Sequence, residues 1–240
     1  GQRVTSEALQ PGCARVWCVR TDGPGLPGLP GLDDQLQVLS EAERALALRL
    51  AGDDHRRDFI HSHALLRRAL SACAPDVPAA AWDFTTTDSG RPEVAGPFPH
   101  LSFSLSHTDG VVACVVAADA ACGIDVEAHS AGTTVASRRV LTEPEHALLR
   151  QAAPAEASVL YARLWTLKEA YAKARGLGLL LPFDQLEVTL ADPPTLLDRT
   201  TSAPSGPWHL EQWPAAPHHV AALAIAGTPR SVVHSSSFPA

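Results

Sequence analysis

Cys122-Gly123-Ile124-Asp125-Val126-Glu127 sets two carboxylates two residues apart. On an extended chain side chains at i and i+2 share a face, so Asp125 and Glu127 point the same way while Ile124 and Val126 pack into a core. Two anions so placed repel. A hard divalent cation such as Mg²⁺ relieves that repulsion, taking a few carboxylates together with waters and phosphate oxygens. A solvated strand end with two unrelated acids would carry the same residues, and the pair alone does not separate the two readings.

A second group runs from Arg163 to Gly178, RLWTLKEAYAKARGLG. Leu164, Leu167, Tyr171 and Ala174 make an apolar stripe at helical spacing, and Trp165, Glu169 and Lys173 follow one another at i, i+4 and i+8 on a different face. Glu169 beside Lys173 also reads as an ordinary helix-stabilising pair, worth about 0.3–0.5 kcal/mol. Of the 19 basic residues, Lys168 and Lys173 alone are lysines. Two compact ammonium groups in a chain that otherwise uses Arg point to a place where a point charge matters more than a planar fork.

The third group is Gly90-Arg91-Pro92 followed by Leu101-Ser102-Phe103-Ser104-Leu105-Ser106-His107-Thr108-Asp109-Gly110. Phe103 and Leu105 alternate with the serines in strand fashion, which delivers Ser106 and His107 to a strand end before a turn at Asp109-Gly110. A hydroxyl, an imidazole and the Arg91 guanidinium can bind phosphate oxygens together. Ser106 and His107 as nucleophile and base are the poorer reading, because strand neighbours face opposite sides and no nucleophile elbow surrounds the serine.

Two helix-start signals stand upstream of the elements that must hold these groups. Ser40 with Glu43, and Thr142 with Glu145, are capping boxes in matching surroundings, at an offset of 102 residues. A longer amphipathic helix follows each, over roughly 54–72 and 156–175, and the same offset sets Arg67 opposite Glu169. Strands are expected over 14–20, 81–87, 111–117, 120–127, 185–190, 208–212 and 219–226, with 111–117 and 120–127 forming a hairpin around Asp119. The Ser-rich tail from Ser231 reads as a loop or frayed end. The expected fold is α+β: two similar subdomains related by internal duplication (pseudo-twofold), each a small, mostly antiparallel sheet packed with helices, over residues 1–100 and 101–240.

Composition narrows the classes further. The 240 residues are 45% hydrophobic and 19% charged, which suits a packed globular chain and excludes a disordered or fibrous one. A net charge of −7 argues against a general nucleic-acid binder. The longest apolar run, Val111 to Ala118, falls well short of the roughly 20 residues that cross a bilayer. The opening residues lack the basic-then-apolar order of a signal peptide, so neither membrane nor export is expected and the location is taken as cytoplasmic. Five cysteines with no CxxC pair read as reduced thiols.

Joined in the order Gly90-Arg91-Pro92, Phe103 to His107, Gly123 to Glu127 and Trp165 to Lys173, the motifs resemble those of the Sfp-type 4'-phosphopantetheinyl transferases. The resemblance covers about Gly90 to Gly178, and the helix pattern extends it upstream to about Ser40. It implies a Mg²⁺-dependent enzyme (Mn²⁺ being an alternative ion) that moves the 4'-phosphopantetheine arm of coenzyme A to a serine of an apo acyl or peptidyl carrier protein and releases 3',5'-ADP. Asp125, Glu127 and Glu169 would then be the metal ligands, with Glu169 the candidate base for the carrier serine and Lys173 neutralising charge on the transferred phosphate. Ser106 and His107 resemble the contact to the 3'-phosphate of coenzyme A, and Arg91-Pro92 the element lining the adenine and phosphate pocket. Arg56 and His63 lie where relatives place cationic phosphate contacts, and Lys168 matches the motif as a phosphate or carrier contact. Arg138, Arg139 and Val140 match the segment that meets the carrier helix.

The sequence departs from the family at two places: His63 stands where Arg is more usual, and Ala128-His129 where relatives carry Lys-Thr. An internal duplication also implies a monomer, since one chain then supplies both halves. The rival readings are a Mg²⁺-dependent nuclease or phosphohydrolase, which acid pairs with Glu and Lys also serve, and a non-catalytic module that binds coenzyme A or a carrier.

Overall fold

The structure is a computed structural model and describes residues 7–23, 29–129, 139–201 and 206–239. In chain order the elements are β1 (Cys13–Arg20), α1 (Leu32–Val38), α2 (Glu41–Arg49), α3 (Asp53–Cys73), β2 (Phe84–Thr86), β3 (Pro92–Val94), β4 (Leu101–Thr108), β5 (Val111–Ala118), β6 (Cys122–Ala128), α4 (Glu143–Gln151), α5 (Pro154–Ala174), β7 (Leu186–Thr189), β8 (Thr195–Asp198), β9 (Trp208–Ala216), β10 (His219–Ala226) and β11 (Ser231–Ser235). They fall into two compact units, residues 1–120 with 229–240, and residues 121–228. The position expected to divide the chain, between residues 100 and 101, lies between β3 and β4 inside the first unit.

The protein is α+β, and its two units repeat one plan. The first has a sheet in the order β11-β1-β5-β4, and the second a sheet in the order β6-β10-β9. In each, an opening strand pairs antiparallel with the second strand of a later hairpin: β1 with β5, and β6 with β10. Between them come a short capped helix, a 21-residue helix and a small two-stranded hairpin.

Both capping boxes form. Ser40 Oγ accepts from the Glu43 N–H while the Glu43 carboxylate accepts from the Ser40 N–H, and Thr142 with Glu145 does the same. Each box glutamate also takes a buried cation from the long helix behind it. Glu43 Oε2 is 2.8 Å from Arg67 Nε, and Glu145 Oε2 is 2.5 Å from Lys168 Nζ. Burial would raise the Glu43 carboxyl, but hydrogen bonds from His63 and from the Ser40 backbone, together with Arg67, outweigh it and bring it down to about 2.

Strand pairing corrects two expectations. β5 and β6 do not form a hairpin around Asp119, which instead takes φ 58° where the chain leaves one sheet for the other. β1 and β4 flank β5 on both sides, so its edges are filled before β6 begins; all eight of its residues are buried, with α3 packed against it. Residues 231–235, read as a frayed tail, form β11 and pair in parallel with β1. The strand expected over 81–87 shortens to β2, behind a single 3₁₀ turn at Ala79–Ala81.

Candidate active site

Residues 123, 125 and 127 share one face of β6, and α5 packs across that face. Gly123 makes the close approach possible. A Cβ built there would stand 2.0 Å from the Ala170 carbonyl oxygen and 2.6 Å from the Ala174 nitrogen, so any side chain would push the helix away. Two residues on, Lys173 Nζ donates to Asp125 Oδ1 at 2.6 Å and to the Ile124 carbonyl at 3.1 Å. Two further on, Trp165 Nε1 donates to Glu127 Oε1 at 3.1 Å. The helix is clamped from β9 as well: Gln212 accepts from Arg163 Nε at 2.7 Å and donates to the Arg163 carbonyl at 2.8 Å.

The residues expected at i, i+4 and i+8 of the helix therefore line the face that meets the strand acids. Lys173, read as a partner of Glu169, bonds to Asp125 instead. Three carboxylates now share one ammonium. Burial and then the charge of Asp125 push the Glu169 carboxyl up to about 7, against the pull of Lys173. Burial and Asp125 likewise raise Glu127, against the Trp165 hydrogen bond and Lys173. Glu169 Oε1 is buried and has no hydrogen-bond partner among the described residues.

Among the described residues no group of three or more His, Cys, Asp or Glu side chains could hold a metal ion as it stands. Asp125, Glu127 and Glu169 are thus a neighbourhood rather than a closed ligand set, with mutual repulsion and the Lys173 contact setting their present positions. The donors nonetheless suit a hard divalent ion. All are carboxylate oxygens, negative charge is in excess, and the buried Glu169 oxygen lacks the hydrogen bond that such an atom ordinarily finds.

The other expected residues divide. Lys168 is 0% exposed, and its ammonium donates to Glu145 Oε2 at 2.5 Å, the Val140 carbonyl at 2.8 Å and the Phe183 carbonyl at 3.0 Å. That corrects its expected place in contact with phosphate or carrier: its three protons are taken and water does not reach it. Arg56 donates to the Ala47 and Leu50 carbonyls and to Asp53, closing the C-terminal end of α2. His63 Nδ1 lies 3.0 Å from Glu43 Oε1, and its ring stacks on Phe59 at 4.0 Å.

Gly90, at φ 84°, turns the chain so that Arg91 leads into β3, which Pro92 opens. β4 brings Ser106 and His107 to its end as expected, but Ser106 is buried and His107 exposed, so the serines do not form the open face that the alternation with Phe103 and Leu105 suggests. Arg138 lies outside the described residues. Arg139 is exposed and Val140 partly buried, and the chain then enters a polar depression lined by Leu141, Thr142, Glu143, His146, Arg150 and Asp184.

Two positioning residues escaped the sequence reading. Gly123 was read only as part of the acid motif, although a glycine two residues before an acid, on the same strand face, signals a close backbone approach. Glu145 was read only as a helix cap, and nothing local announces that it also binds Lys168 and the Val188 N–H.

The family model of the 4'-phosphopantetheinyl transferase superfamily matches residues 121–225, the stretch that contains β6 and α5. The 4'-phosphopantetheinyl transferase HetI of a Nostoc species is 31% identical over 216 residues, spanning 88% of this chain and 87% of that protein. The chain belongs to the 4'-phosphopantetheinyl transferase superfamily. It is also similar to a Bacillus subtilis 4'-phosphopantetheinyl transferase, at 28% identity over 68% of this chain and 71% of the other. An L-aminoadipate-semialdehyde dehydrogenase-phosphopantetheinyl transferase of Eremothecium gossypii is 30% identical over 72% of this chain and 68% of that one. Like other phosphopantetheinyl transferases, then, this is an enzyme that acts between coenzyme A and carrier proteins.

Proposed function

We propose that this phosphopantetheinyl transferase is a Mg²⁺-dependent monomer that modifies a serine of an apo acyl or peptidyl carrier and releases 3',5'-ADP. The setting is cytoplasmic polyketide or nonribosomal peptide synthesis, with neither membrane nor nucleic acid as partner. The reading rests on one observation: α5 lies on the acidic face of β6, gathering Asp125, Glu127 and Glu169 about the single ammonium of Lys173.

In the reaction the serine oxygen forms a bond to the phosphorus that carries the pantetheine arm. The bridging P–O bond of the pyrophosphate breaks, and its electron pair leaves with 3',5'-ADP. Glu169 receives the serine proton, its position within a buried acid group suiting it to hold one. Lys173 turns from Asp125 toward the phosphates and balances their charge. Asp125, Glu127 and Glu169 would hold the Mg²⁺, which supplies polarisation of the pyrophosphate when bound. His107 and Ser106, with Arg91-Pro92, would bind the 3'-phosphate end of coenzyme A. Arg56 and His63, the latter bonded to Glu43, would add further contacts to coenzyme A. Arg138, Arg139 and Val140 would meet the carrier.

Incubation with coenzyme A, Mg²⁺ and an apo carrier tests this. One phosphopantetheine should be added to the carrier by mass, and no gain across several acyl and peptidyl carriers would overturn the reading.

A further inference from the structure

Asp198 ends β8, opposite Leu186 at the start of β7. Its side chain is 1% exposed, and both of its oxygens accept. Oδ2 takes the Tyr171 hydroxyl at 2.7 Å and the Arg175 guanidinium at 2.6 Å. Oδ1 takes the Thr200 N–H at 2.8 Å and the Thr200 hydroxyl at 2.5 Å. Donors on both oxygens suit an ionised carboxylate and no neutral side chain of this size. Burial would raise this carboxyl, but the hydrogen bonds from Thr200 and Tyr171 and the charge of Arg175 outweigh it and hold it below the ordinary aspartate range.

Tyr171 lies in the last turn of α5 and Arg175 caps it, with Lys173 midway between them. Side chains two apart on a helix point to nearly opposite sides. The carboxylate therefore grips this turn from the side away from β6, where Lys173 reaches Asp125 at 2.6 Å. Tyr171 is 0% exposed and meets Trp208 edge-on at 4.7 Å, and Arg175 also donates to its hydroxyl at 2.8 Å. Beyond the turn come Gly176 and Gly178, at φ 69° and 49°. Helix ends fray, and Asp198 ties this one. The same hairpin holds the helix one turn earlier, since Glu145 bonds both Lys168 and the Val188 N–H of β7.

We propose that Asp198 is a positioning residue for Lys173, fixing through Tyr171 and Arg175 the height and rotation of the turn from which the ammonium reaches the phosphates. Charge stabilisation that acts in the transition state is lost when the donor stands out of place. Asp198 touches no substrate and acts only through the helix end. The inference rests on the proposed role of Lys173.

Asp198→Asn tests it. The amide has one oxygen, so on one side it sets donors against donors, while Arg175, 24% exposed, can turn to water and let the variant fold. In transfer assays kcat should fall about ten- to hundredfold, with KM for coenzyme A and for the carrier within about twofold of wild type. Lys168 and Lys173 are the chain's only lysines, so lysine-labelled protein gives one NMR signal for each. In Asp198→Asn the Lys173 side-chain signal should move and that of Lys168, on the same helix, should stay. An unmoved Lys173 signal overturns the proposal, and so does a joint shift of both, which general loosening of the helix would give. Val188→Ala weakens the same hairpin and leaves the carboxylate in place; an equal fall of kcat there also overturns it. Wild-type kcat in Lys173→Met overturns the reading of Lys173 and the proposal with it. Full kcat in Asp198→Asn beside a crippled Lys173→Met overturns the proposal alone.

Discussion

Lys168 Nζ lies 2.5 Å from Glu145 Oε2, with the two side chains 0% and 3% exposed. Glu145 at the same time caps α4 through the Thr142 N–H and accepts from the Val188 N–H at the start of the small hairpin. One carboxylate thus joins the short helix, the long helix and β7, and the residue after Lys168 is Glu169. The lysine acts in the scaffold, one step behind the chemistry.

Lys168→Met is expected to lower stability by about 3–5 kcal/mol, because it strands the Glu145 charge inside the protein. Adding Glu145→Gln should recover part of that loss, measured by urea denaturation. At a temperature where Lys168→Met stays folded, its KM for coenzyme A should be near wild type; a large selective rise would return Lys168 to the phosphate site.

Gly123→Ala places a methyl group against the backbone of Ala170 and Ala174. The helix must lift from β6, carrying Glu169 and Lys173 with it, so kcat should fall by at least about a hundredfold although residue 123 has no reactive group. Gly206→Ala is the silent control, since nothing lies within 4 Å of a Cβ there.

For Glu169→Gln the expected result is a fall in kcat of about 10²- to 10⁴-fold with an unchanged or raised melting temperature. A carboxyl held up to about 7 by burial is a poor contributor to stability. Activity near the wild-type rate in this variant would remove Glu169 as both base and ligand.

Chelation of divalent ions should stop transfer, and added Mg²⁺ should restore it. Without coenzyme A, Mg²⁺ should also raise the melting temperature of the wild type by mass action. The rise should vanish in Glu169→Gln, as followed by differential scanning fluorimetry.

Acid should weaken the first unit in two stages. His61 is buried, its Nδ1 2.8 Å from Gln35 Oε1, and burial followed by Arg57 lowers its pKa from 6.5 to about 4. The folded state then resists protonation that the unfolded chain accepts, so this contribution is complete above pH 6.5 and lost as pH falls toward 4. Glu43, lowered to about 2, contributes above 4.5 and loses its share as pH falls from there to 2. Each is worth of the order of 3 kcal/mol. His61→Asn should flatten the stability profile between pH 6.5 and 4 and leave the lower stage in place.

Helices were legible because their signals are local. The Ser40 and Thr142 boxes and the 3.6-residue stripe placed α3 and α5 within about two residues. The pairing of Asp125 with Glu127 on one face, and of Trp165, Glu169 and Lys173 on another, followed from period alone. Strand partners are not local. β5 and β6 both read as buried strands, and the turn-like Asp119 between them suggested pairing that the filled edges of β5 forbid. The Ser-rich composition of residues 231–235 masked an edge strand, whose backbone bonds need little from its side chains. Lys168 looked like a site residue because its buried acid lies 23 positions earlier in the chain.

The matched hairpins also show what became of the acids in the other copy. Counting from the paired residues Thr108↔Val111 and Ala216↔His219, the partners of Cys114 and Val112 on β1 answer to Asp125 and Glu127 on β6. They are Trp17 and Val19, both sealed in the first core, and Arg67 stands at the offset of Glu169. Such a twin offers no carboxylate to an ion, so the proposed metal site would occur once per polypeptide. That asymmetry leaves positions 17, 19 and 67 to answer to packing alone.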